Sequence, residues 1–80
     1  MDTSLLKSVM FRAGEIYHKS NNFDAVLVYI SKMLGINVGR ILDNKDYYLV
    51  HKAQCNQGWL ELCDKEFNYV ASSRSFPDDL

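Results

Sequence analysis

The apolar positions of this chain change period once, near residue 36. Before that point Leu5, Leu6, Val9, Met10, Ala13, Ile16 and Tyr17 recur at helical spacing. At about 100° per residue they form one stripe, and Lys7, Ser8, Arg12, Glu15, His18 and Lys19 take the opposite side. Thr3 or Ser4 is expected to cap this first helix by accepting a backbone N–H from its first turn. Gly14 weakens the run, Phe11 falls among the polar residues, and the polar residues 19–22 end the helix. Asn22 then caps a second helix, with Asp24 facing the positive end of its dipole. Phe23, Val26, Leu27, Ile30, Met33 and Leu34 make its apolar face, and Val28 lies off it. Gly35 occupies the left-handed position after the helix, and Ile36 is the usual apolar contact back onto the last turn.

From there the period is two. Residues 38–42 are short and β-compatible, 47–53 are rich in aromatic and branched side chains, 59–63 alternate, and 67–72 close the pattern. Residues 43–46, 54–58 and 64–66 read as turns by composition. The pattern predicts an α+β fold in which two N-terminal amphipathic helices pack on one face of a C-terminal antiparallel β-meander of three to four strands. Residues 1–73 are expected to form one domain, and 74–80, with a proline and two acids, a flexible tail.

Two helices of this length cover one side of such a sheet. Polar residues assign the faces: Lys52, Glu61 and Asn68 point out, so Tyr47, Leu49, His51, Leu60, Leu62, Phe67, Tyr69 and Ala71 point in. The outward set then includes Tyr48, Val50, Trp59, Cys63 and Val70. Aromatic side chains are enriched at interface hot spots, and a contiguous apolar patch with a polar rim marks a contact site. Tyr48, Val50, Trp59 and Val70, with Phe11 on an exposed strip of the first helix beside Lys7 and His18, are therefore the expected protein-interaction residues. The competing expectation is that they are cross-strand pairs worth ~0.2–1 kcal/mol each, with Phe76 folded over them.

Composition narrows the function classes. The chain has 80 residues, is 48% hydrophobic and 24% charged, and carries a formal net charge of −1. A domain of this size buries only about 60–65% of its unfolded surface. A phosphate-binding domain is expected to show a basic excess. Here residues 1–40 hold five basic and three acidic side chains, and residues 41–80 hold four and seven. The opening residues include an acid and periodic rather than continuous apolar positions, unlike a signal peptide. No apolar run approaches the roughly 20 residues of a membrane span, so no membrane partner is expected. Two cysteines, Cys55 and Cys63, make no disulfide framework, and a reduced, cytoplasmic protein is the expectation.

Residues 30–41 resemble a helix-turn-helix, with Ile30, Leu34, Gly35, Ile36 and Ile41 at suitable spacings and Ser31 as the small residue. In that alternative the chain is a winged helix-turn-helix DNA-binding regulator using residues 29–45, with Asn37, Arg40 and Lys45 toward DNA. Gly39 inside the recognition helix, Leu42 where a polar residue belongs and Asn44 where an apolar one belongs speak against it. His51, Cys55 and Cys63 match no common zinc spacing. No cysteine lies near a helix start that would activate it, and no glycine-rich phosphate loop occurs. Neither metal, cofactor nor catalysis is expected. The expectation is a small, non-catalytic regulatory or inhibitory module that binds another protein or a second copy of itself as a homodimer. Nucleic acid is the lesser alternative.

Overall fold

In the structure, a computed structural model that describes residues 2–74, the first helix α1 runs Thr3–Ser20. Its cap is Asp2 rather than Thr3 or Ser4: the Asp2 carboxylate accepts the Ser4 N–H at 3.0 Å. A carboxylate at that point also meets the positive end of the helix dipole. The second helix, α2 (Phe23–Leu34), starts as expected, with Asn22 Oδ1 accepting the Ala25 N–H at 3.1 Å. It ends at Gly35, whose φ of 64° is left-handed.

Four strands follow: β1 (Val38–Gly39), β2 (Tyr47–Gln54), β3 (Gln57–Asp64) and β4 (Tyr69–Ser72), in the order β1-β2-β3-β4. The β2–β3 hairpin is antiparallel and closes through Cys55 and Asn56, both at positive φ. That is the mirror-image turn whose twist suits a two-residue hairpin. β3 and β4 are also antiparallel.

β1 departs from the expected meander, because it pairs with β2 in parallel. Residues 41–43 form a single 3₁₀ turn rather than an extension of the strand. The Asp43 carboxylate accepts the Arg40 N–H at 2.8 Å, the Arg40 carbonyl accepts the Asp43 N–H, and Asn44 is left-handed. These bonds turn the chain so that Tyr47 N–H reaches back to the Asn37 carbonyl. Residues 43–46 thus serve a tight crossover, not a hairpin.

The helices lie on one face of the sheet, α1 against β3 and β4, α2 against α1 and β1. Val9, Met10 and Ala13 of α1 and Val26, Leu27 and Ile30 of α2 meet Leu49, Leu60, Leu62 and Ala71 of the sheet in one core. Gly14 is needed for this approach, since a Cβ there would stand 2.8 Å from the Cβ of Ser73. His51 faces the helix side, paired with Leu60, yet is exposed beside Tyr17 rather than enclosed in the core. Residues 75–80, with Phe76 and most of the expected tail, lie outside the described residues.

Candidate protein-contact site

Cross-strand partners share a face of the sheet. The face away from the helices is therefore built in rows. Tyr48, Cys63 and Tyr69 form one, Val50, Glu61 and Ser72 the next, and Lys52 and Trp59 a third. The expected placement of β2 and β3 holds. That of β4 does not: a register irregularity between Leu62 and Cys63 leaves Val70 as an extra residue between Ala71 and Tyr69. Tyr69, expected to point in, stands opposite Cys63 and is 59% exposed. Val70, expected to point out, packs against the core.

Phe67, also expected inward, is reversed by the preceding turn. Residues 65–67 make a three-residue loop, with Asp64 N–H donating to the Asn68 carbonyl and Phe67 N–H to that of Asp64. Such loops end on a left-handed residue, usually glycine, and here that residue is Phe67, at φ 67°. Asp64 pins the loop. Its side chain accepts the N–H groups of Glu66 and Asn68, each at 2.9 Å, and the Asn68 amide at 3.3 Å. The Asn68 backbone bond, with the amide and the Glu66 N–H, holds the Asp64 carboxyl below the usual carboxylate range. The ring of Phe67 then stacks on Tyr48, centroids 5.1 Å apart and planes 17° apart, and remains 58% exposed.

Tyr48 is on the outer face but only 6% exposed, beneath Phe67, so its ring offers no open contact surface. Trp59 is half-buried: its Nε1–H donates to Glu61 Oε2 at 2.9 Å and the Arg74 guanidinium lies 4.0 Å over its ring. Lys52 Nζ meets the other Glu61 oxygen at 3.2 Å. Val50 is half-buried between these clusters. Phe11 is 50% exposed on α1, as its off-stripe position predicts, and shares a groove with Tyr69 and Val70. Burial, with the nearby Glu61 carboxylate, pushes the Cys63 thiol up, which keeps it protonated and poorly nucleophilic.

The rings left open around β4 are therefore Phe67, in the loop before it, and Tyr69, within it, with Phe11 lining the same groove as Tyr69; β4 has no further strand neighbour among the described residues. The signal for it was present in sequence: an Asp, a three-residue loop and an Asn between aromatic strands. A phenylalanine in the glycine position concealed it. Other large apolar side chains are exposed on α2 and the 3₁₀ turn, including Val28, Met33, Ile41 and Leu42. The neighbouring edge there, β1, is two residues long, too short to template another strand.

The DNA-reading alternative needs a helix over residues 37–45. That segment is β1, the 3₁₀ turn and loop, so the expected recognition helix does not form. Arg40 is held against Asp24 at 2.6 Å and over the Phe23 ring. Asn37 is exposed at the start of β1 and Lys45 half-buried against Gly39. Among the described residues no three His, Cys, Asp or Glu side chains gather where a metal ion could sit. Among them, too, no helix is long and apolar enough to cross a membrane.

The fold and surface define a two-layer α+β chain with one covered sheet face and one open aromatic corner. No protein-family model, curated protein or solved structure matches it.

Proposed function

We propose that the chain is a small non-catalytic module that binds protein, another chain or a second copy of itself, through the corner formed by Phe67, Tyr69 and Phe11. The observation that carries this reading is Phe67. A bulky residue is held at a left-handed position where glycine costs least, and its ring stays 58% exposed, with Tyr69, two residues on, 59% exposed. Strain of this kind, kept in place by surrounding bonds, accumulates where a side chain must be presented. β4 has no further strand neighbour among the described residues, and an extended segment of a partner can pair with such an edge.

This reading moves the contact from Tyr48 and Trp59, which the monomer itself covers, to side chains that it leaves open. Tyr69→Ser changes an exposed side chain, so the fold should persist while binding is lost. Affinity capture with the full chain, compared with Tyr69→Ser and Phe67→Gly of unchanged circular dichroism, checks it. Sedimentation of the purified chain checks for the second copy. Partners or self-association insensitive to both substitutions overturn the assignment.

A further inference from the structure

Twice in this chain a guanidinium lies over an aromatic ring that has a carboxylate beside it. Arg40 stands 4.9 Å from the centroid of Phe23 and is held at 2.6 Å by Asp24, the residue after that phenylalanine. Arg74 lies 4.0 Å over Trp59, whose Nε1–H donates to Glu61. A ring face attracts a cation, and a neighbouring carboxylate adds a charge-assisted bond.

The loop before β4 offers the same two groups. One face of the Phe67 ring is stacked on Tyr48, and the ring is still more than half exposed. Among the described residues no cation lies over it. Glu66, the residue before it, is exposed, and its carboxylate makes no ion pair among the described residues. The charge around it is negative. The Asp64 carboxylate pins the loop, and Lys65 reaches Asp46 at 3.8 Å. Asp46, Asp64 and Glu66 thus stand against a single ammonium.

We propose that the partner presents an arginine to the open face of Phe67, with the Glu66 carboxylate as its second contact. This rests on the protein-binding reading above and names the chemistry of its partner. Arginine suits the place better than lysine, because its guanidinium is planar, stacks on rings and is more weakly hydrated. A second copy of this chain has no spare arginine to supply. Its three are engaged, Arg12 with Glu15 at 3.1 Å, Arg40 with Asp24, and Arg74 over Trp59. The arginine therefore comes from a different protein. A basic segment is drawn to the charge of this loop, and an acidic one is repelled.

The test titrates the isotope-labelled full chain with the peptide acetyl-Gly-Val-Arg-Val-Gly-amide. A second peptide carries citrulline, which keeps the planar head of arginine and lacks its charge. Shifts of the Tyr48, Glu66 and Phe67 amide signals are expected with the arginine peptide. Citrulline, Phe67→Gly and Glu66→Gln should each weaken its binding by about two- to fivefold. No shifts at those amides, or equal affinity for the citrulline peptide, overturns the proposal. So does a dimer in sedimentation that Phe67→Gly dissociates, which would seat a second copy there. Partner capture lost in Tyr69→Ser yet unchanged in Glu66→Gln leaves the contact reading standing and removes the arginine. Capture indifferent to both Phe67→Gly and Tyr69→Ser removes the contact reading and this partner with it.

Discussion

Phe67 concentrates the account in one residue. A left-handed conformation costs a non-glycine residue about 1–2 kcal/mol, and stacking on Tyr48 returns about 0.5–1.5 kcal/mol. The two nearly cancel. Phe67→Gly is therefore expected to change the unfolding free energy by no more than about 1 kcal/mol, read from urea denaturation. A loss several times larger would mean that Phe67 is there for the fold and not for a contact. Asp64 controls the same loop through its charge. Its carboxyl titrates lower in the folded chain than the unperturbed value near pH 4. The stability it contributes is thus present above about pH 4 and is lost as pH falls through the lower, folded value. Melting temperatures measured down an acid series should fall less steeply in Asp64→Asn than in the parent chain; parallel profiles would contradict the role given to this carboxylate.

At the scale of elements, Gly14 separates helix propensity from packing. Gly14→Ala removes a helix-weakening residue, a gain of about 1 kcal/mol. It also places a Cβ 2.8 Å from the Ser73 Cβ, where one wall must move. Overpacking of that kind costs about 1–3 kcal/mol, so the variant should unfold at lower denaturant than the parent, and a more stable variant would show that β4 is free to retreat. What was legible in sequence follows the same division. The α2 boundaries came from local chemistry, Asn22 at one end and Gly35 at the other, and local chemistry survives folding. The faces of β2 and β3 came from alternation pinned by Lys52 and Glu61. β4 departs from its hydropathy pattern because the left-handed Phe67 and the irregularity at Val70 each break alternation, and neither leaves a mark in hydropathy. The parallel pairing of β1 was hidden for a different reason. Residues 43–46 have hairpin composition, and only the Arg40–Asp43 bonds show that they serve a crossover.

For the whole molecule, the decisive fact is one-sided coverage. Both helices pack on the face bearing Leu49, Leu60, Leu62 and Ala71, and the opposite face is left to cover itself. It does so in part, with Trp59 under Arg74, Glu61 between Lys52 and Trp59, and Tyr48 under Phe67. Phe67 and Tyr69, at the β4 end, stay more than half exposed. The anticipated sticky sheet face is thus reduced to a smaller surface composed of different rings. Site-specific photocrosslinking tests this most directly: a photoreactive residue in place of Tyr69, in the full chain inside the cell that makes it, compared with the same residue in place of Lys32, exposed on α2. A discrete protein adduct from position 69 that Phe67→Gly removes, with no matching adduct from position 32, is the predicted result. No adduct from position 69, or one indifferent to Phe67, would contradict the assignment of this corner as a contact.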